Sequence, residues 1–112
     1  MSKRTEHEFL LDIKEATKRI LKYSENLDYE IFTRDLKTQD AIVRNIEIIG
    51  EAVKNLSVEF IDQYPHIPWK NIAGMRDKLI HHYFGVNIDI VWDITRFEIP
   101  KLKKQIEEIL AR

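Results

Sequence analysis

Apolar residues recur along this chain at intervals of three and four, the spacing of one face of an α-helix. The clearest run lies mid-chain, where the apolar positions are Ile42, Ile46, Ile49, Val53 and Leu56. A second run near the N-terminus consists of Phe9, Ile13, Ala16, Thr17, Ile20 and Leu21. We therefore predict one helix over about residues 6–24 and another over about residues 38–57, with a short helical turn over residues 29–34 between them.

The second half of the chain is punctuated by proline and glycine. Ser57 is a typical N-cap for a short segment that ends before Pro65. Pro68 suits the start of a third helix, predicted over residues 69–84, and Gly85 suits its end.

A last apolar face begins after a cap at Asn87 or Asp89 and runs to the C-terminus. Within it, Pro100 either opens a final helix or kinks a longer one. Four long amphipathic helices on short connections predict an all-α fold, an antiparallel four- to five-helix bundle, as a single domain over residues 1–112.

Composition excludes several classes of protein. The chain has 112 residues, of which 44% are hydrophobic and 33% charged, with 3 Gly, 3 Pro and no Cys. This composition is typical of a globular domain, and without cysteine no disulfide, thiolate zinc site or cysteine nucleophile is available. The sequence contains no apolar run long enough to span a membrane and no signal peptide, so we expect a cytoplasmic protein without a membrane partner.

Charge limits how the chain can bind nucleic acid. It has 18 Lys and Arg against 19 Asp and Glu, a formal net charge of -1, and no long basic run. A large electrostatic footprint on nucleic acid is therefore not expected. Any such contact must be made by a few residues in a small site or be assembled from two chains.

The predicted third helix carries the unusual side chains. On an ideal wheel Arg76 lies in the centre of the apolar arc, and burial of a guanidinium is costly unless it is paired. Either a carboxylate pairs with it, or it faces a groove for an anion such as phosphate. Asp77 and His81 stand four residues apart, which allows the carboxylate to orient the imidazole.

Arg76 and His81 cannot share one site on a regular helix, because they lie about 140° apart around its axis. Three arrangements would bring them together: a π-bulge, unwinding of the helix at His81, or a composite site across a dimer interface. Taken singly, such an arginine is more often a structural ion-pair former and such a histidine an ordinary surface or core residue. His7 and His66 are assigned no function, and His82 is left open.

One segment of the chain resembles the signature of HepT-like toxins in the HEPN superfamily. It consists of Arg76, four intervening residues, His81, any residue, and Tyr83. The flanks of this motif are also similar to that family: Trp69 with Gly74-Met75 before it, and Phe84-Gly85-Val86 with Val91-Trp92 after it. One further segment, Arg44-Asn45 with Gly50-Glu51-Ala52, is similar as well. The resemblance extends over nearly the whole chain.

The resemblance implies the toxin of a type VII toxin–antitoxin pair with a HEPN-like helical fold. Such a toxin is a metal-independent endoribonuclease that works as a homodimer on an RNA substrate. Its partner would be an MntA-like nucleotidyltransferase antitoxin that transfers AMP from ATP onto the motif tyrosine, here Tyr83. Arg76 and His81 would be catalytic, and no metal or cofactor is expected.

The roles of several other residues, and one alternative function, are not decided by the sequence. Asp77, Glu51 and Arg44 are candidate supporting residues. The last two are expected either to pair with or position Arg76, or to have solvated or dimer-facing roles. Trp69 and Trp92 are expected in the core, and Lys101, Lys103 and Lys104 on a solvated helix face. The main alternative is a non-catalytic helical subunit that binds a nucleotide or a nucleotidyltransferase partner.

Overall fold

A computed structural model describes residues 4–81 and 85–112, except for the side chains of residues 80 and 81. The helices in chain order are α1 (Glu6–Ser24), α2 (Tyr29–Arg34), α3 (Leu36–Lys54), α4 (Val58–Asp62), α5 (Trp69–Ala73), α6 (Met75–Leu79), α7 (Ile88–Asp93) and α8 (Ile99–Leu110). Two short strands, β1 (Ile80–His81) and β2 (Gly85–Val86), pair antiparallel between α6 and α7. The predicted all-α class is confirmed, whereas the short β-hairpin was not predicted.

Helix starts follow from local capping. Thr5 accepts a hydrogen bond from the Glu8 amide at 3.2 Å while the Glu8 carboxylate accepts one from the Thr5 amide, which forms a capping box at the start of α1. The predicted caps Ser57 and Asn87 likewise accept hydrogen bonds from the amides of Phe60 and Ile90. The predicted helices over residues 6–24 and 29–34 are confirmed.

The centre of the fold is the antiparallel pair α1 and α3. The Glu6 carboxylate, at the start of α1, accepts from the Ser57 amide beyond the end of α3 at 3.3 Å. The predicted apolar stripe of α3 is buried, with Ile42, Ile46 and Ile49 fully inaccessible. Burial of this face explains the regular spacing, because each turn of α3 must contribute a core side chain.

The C-terminal helical segment runs without interruption through Pro100. A π-helical segment, Ile94–Glu98, joins α7 to α8, and Pro100 stands in the first turn of α8. Proline has no amide hydrogen and its ring crowds the preceding turn, and a widened turn just before it accommodates both. Of the two predicted alternatives, Pro100 in the first turn of α8 matches the first, although the helical run continues without interruption from α7.

The predicted third helix over residues 69–84 is wrong in its extent. It breaks at Gly74 between α5 and α6, and α6 ends at Leu79, where the chain enters the hairpin. The Asn87 amide donates to the Leu79 carbonyl oxygen at 2.7 Å, so the hairpin ladder replaces a helical hydrogen bond. Gly85 belongs to β2 with a φ of 76°, a left-handed conformation that suits glycine, and does not end a helix.

Within residues 4–81 and 85–112, none of the helices combines the length and apolar character needed to span a bilayer.

Candidate functional site

Arg76 lies on α6 at the surface of the bundle. Its neighbour Met75 is 1% exposed and anchors α6 in the core, whereas the Arg76 side chain is 51% exposed. The expectation that Arg76 points with the apolar residues is therefore wrong. The break at Gly74 shifts the phase of the chain, so a wheel drawn from Trp69 no longer gives the direction of residue 76.

Two carboxylates lie beside the guanidinium. Nε of Arg76 is 3.6 Å from Oε2 of Glu47 on α3, and its Nη1 is 3.7 Å from Oδ1 of Asp77. Carboxylates of the kind named in the first of the two alternatives therefore lie beside Arg76, and they do not exclude the second alternative, an anion site. At these distances the contacts are ion pairs without hydrogen bonds, so they leave the N–H donors of the guanidinium available to an anion.

A close approach of two backbones places α6 against α3. A β-carbon on Gly50 would lie 3.2 Å from the carbonyl oxygen of Ala73, tighter than an ordinary van der Waals contact. Glycine at this position lets the end of α5 lie directly on α3. Because Glu47 precedes Gly50 by about one helical turn, the same approach brings Arg76 to Glu47.

His81 follows α6 in β1, where it pairs with Gly85 across the hairpin. The angle of about 140° expected on a regular helix therefore does not separate Arg76 from His81. Unwinding before His81 is the arrangement that the backbone adopts, and the π-helical segment lies elsewhere, in Ile94–Glu98. The His81 side chain, and Tyr83 and His82 entirely, lie outside the described residues.

Asp77 is highly exposed, and its described partner is Arg76. Its predicted contact with the His81 imidazole falls on a side chain that is not described. Asp77 follows Arg76 directly on a short helix, and consecutive helical side chains diverge by about 100°, so this pair holds the guanidinium loosely.

Arg44 and Glu51 lie on the same side of α3 as Glu47, Arg44 about one turn before it and Glu51 about one turn after it. Glu51 pairs with Lys54 at 3.8 Å, and both Arg44 and Glu51 line a shallow groove between α1 and α3. No ion pair joins either residue to Arg76, and the exposure of both agrees with the solvated positions that the sequence left open. The α3 residue that contacts Arg76 is Glu47, which sequence reasoning missed.

The two tryptophans, and Lys103 from the lysine cluster near the C-terminus, are in contacts within the fold. Trp69 is buried, and its indole N–H donates to the Tyr64 carbonyl oxygen at 3.0 Å. Trp92 is only half-buried, with the Arg96 guanidinium 4.6 Å above its ring. Lys103 pairs with Glu107 on the solvated face of α8. The described residues contain no group of three His, Asp or Glu placed to hold a metal ion.

Comparison with known proteins provides further evidence on the family to which the chain belongs. The family model described as ribonuclease HepT-like matches residues 13–109. A Methanocaldococcus jannaschii protein named "Putative RNase MJ0127" is 49% identical over 110 residues, 98% of this chain and 91% of the relative. The "Probable ribonuclease HepT" of Thermococcus cleftensis is 44% identical over 107 residues, 96% of this chain and 97% of the relative.

No solved structure matches the chain. The match to the family model covers most of the described fold, from the first turns of α1 to the last turn of α8, and it includes α3, the segment around Arg76 and the hairpin. The chain belongs to the ribonuclease HepT-like family.

Proposed function

We propose that this protein is a metal-independent endoribonuclease in which Arg76 and His81 act on the scissile phosphate. The observation that carries the proposal is the exposed, anion-accessible guanidinium of Arg76 beside a backbone that leaves the helix before His81. Membership of a ribonuclease family and the RNase names of the relatives support it.

The residue types suit RNA cleavage by internal transfer. The 2'-oxygen attacks the adjacent phosphorus while the bond from phosphorus to the 5'-oxygen breaks, leaving a 2',3'-cyclic phosphate and a 5'-hydroxyl. Histidine titrates near neutral pH, so His81 serves either to take the proton of the 2'-hydroxyl or to protonate the leaving oxygen. The planar donor fork of Arg76 stabilises the charge that builds on the phosphate.

The proposal extends to regulation and assembly. It makes the protein the toxin of a type VII pair, a homodimer in the cytoplasm with two copies of the motif in one cleft. An MntA-like nucleotidyltransferase would join the α-phosphate of ATP to the Tyr83 hydroxyl and release pyrophosphate. The added phosphate and adenosine on Tyr83 would block the site by charge and bulk.

The nuclease test is cleavage of end-labelled RNA by purified protein in EDTA, with analysis of the product ends. Wild type is expected to leave cyclic phosphate ends, and Arg76→Ala and His81→Ala to lose activity while keeping their helical circular dichroism. Matched controls are Arg19→Ala and His7→Ala, both exposed on α1. Activity that survives in Arg76→Ala and His81→Ala would refute the assigned roles.

The regulatory part needs its own measurements. Mass spectrometry after incubation with ATP and an MntA-like nucleotidyltransferase should show AMP on the wild type and none on Tyr83→Phe. Sedimentation equilibrium should give a dimer. Folded, dimeric, unmodified wild type that cleaves no RNA would instead favour the non-catalytic partner-binding subunit.

A further inference from the structure

We propose that Glu47 is a positioning residue that holds the Arg76 guanidinium ready for the phosphate. This inference rests on the proposed ribonuclease function and assigns it a residue outside the Arg76–Tyr83 motif. The observation behind it is the ion pair between Glu47 on α3 and Arg76 on α6, across 29 residues of sequence (76 minus 47).

α6 by itself cannot fix the direction of the Arg76 side chain. The helix has only five residues, is separated from α5 by the turn at Gly74, and runs directly into the hairpin. A helix this short has little stability of its own, and a free arginine side chain samples many rotamers. The direction of the guanidinium must therefore come from a contact outside α6.

Glu47 provides that contact better than Asp77 does. The Glu47 side chain is 32% exposed against 74% for Asp77, so its charge is less screened by water. It also projects from a long, core-packed helix, whereas Asp77 shares the short helix with Arg76. A contact between elements fixes the arginine relative to the bundle, which a contact within one short helix cannot do.

The contact point on the arginine matters for the chemistry. The Glu47 carboxylate approaches Nε at 3.6 Å, beyond hydrogen-bond distance, so it orients the guanidinium without occupying its donors. A carboxylate this close also repels phosphate. Removing the Glu47 charge should therefore have two effects. The guanidinium is less well oriented, which slows the chemical step, while the loss of repulsion leaves RNA binding no weaker.

The primary variant is Glu47→Gln, with Glu15→Gln as its matched control. Glu15 lies on α1, is exposed, and pairs with a different arginine, Arg19, at 3.2 Å. We expect kcat of RNA cleavage to fall about tenfold in Glu47→Gln, as loss of positioning does, with KM unchanged or lower. Glu15→Gln should match the wild type. Glu47→Asp, which keeps the charge but shortens the reach, should fall between.

A second measurement needs no nuclease activity. Phenylglyoxal reacts with arginine side chains, and peptide mass spectrometry reports the rate at Arg76 alone. Loss of the partly exposed ion pair with Glu47 should raise the labelling rate at Arg76 about twofold in Glu47→Gln and not in Glu15→Gln. Thermal melts of all variants confirm that the compared proteins are folded.

The outcomes separate the two proposals. Wild-type cleavage with equal kcat in Glu47→Gln and Glu15→Gln overturns the positioning role. Faster cleavage by Glu47→Gln also overturns it, in favour of a carboxylate that competes with phosphate. If the wild type cleaves no RNA, the proposed function fails, and the labelling rates still decide whether Glu47 holds Arg76.

Discussion

Gly50→Ala tests the close approach that places the Arg76 segment on α3. The added methyl group would meet the Ala73 carbonyl oxygen at 3.2 Å and the Ile72 carbonyl oxygen at 3.9 Å. Backbone at the end of α5 would have to move by a few tenths of an ångström. We expect this substitution to destabilise the fold, although alanine is the better helix former.

The magnitude is a balance of two opposed effects. Alanine in a helix interior gains about 0.5–1 kcal/mol over glycine. Overpacking against a backbone that cannot rotate away costs about 1–3 kcal/mol. The net loss is therefore about 1 kcal/mol, which corresponds to a fall in Tm of about 4–8 °C for a domain of this size.

The assay is urea and thermal unfolding of wild type, Gly50→Ala and the control Gly74→Ala. A β-carbon on Gly74 would lie 3.5 Å from the Lys70 carbonyl oxygen, an ordinary contact, and its φ is -93°. Gly74→Ala should therefore be neutral or stabilising. If Gly50→Ala is as stable as Gly74→Ala, the close packing of α5 on α3 does not limit the position of Arg76.

Two further predictions concern the supports of the fold. The side-chain hydroxyl of Thr38, and to a smaller extent its backbone amide, donate hydrogen bonds to the Asp35 carboxylate and lower the Asp35 pKa. The ionised cap therefore stabilises the fold above the ordinary carboxyl pKa of about 3.9, and this stabilisation is lost as the pH falls below that value. Thermal melts between pH 6 and pH 3 should show a shallower loss of stability in Asp35→Asn, and an unchanged slope would contradict this. Trp69→Phe removes the indole donor to the Tyr64 carbonyl oxygen, which keeps the Ile67 amide as a donor, and should cost about 0.5–1.5 kcal/mol in urea unfolding. A cost no greater than that of Trp92→Phe, whose ring is half-buried, would argue that the indole hydrogen bond contributes nothing.

Local physics explains why much of the fold is readable from the sequence. The apolar stripe of α3 has the helical period because every turn of that helix packs on the core, and residues 42, 46 and 49 are buried as the spacing predicts. Ser57 and Asn87 act as caps through hydrogen bonds that reach only three residues ahead. Such interactions depend on neighbours in the chain, and the sequence displays those neighbours directly.

The third helix shows where this reasoning stops. Residues 69–84 have a helical pattern of apolar positions, and no pattern signals that an amide eight residues away, at Asn87, will take the Leu79 carbonyl oxygen. Once that bond forms and the chain turns at Gly74, the wheel no longer gives the exposure of Arg76. The periodicity shows which side chains are apolar, but the hydrogen bond between Asn87 and Leu79 decides where α6 ends.

The sequence by itself therefore determined the helical class of the fold, the positions of α1 to α3, and the resemblance that singled out Arg76, His81 and Tyr83. Only the tertiary structure decided that Glu47, and neither Arg44 nor Glu51, lies beside Arg76. These three α3 residues fall within about 60° of one another around the helix, too close for a wheel to separate. The choice among them depends on how α5 and α6 cross α3, which is set by the backbone contact at Gly50.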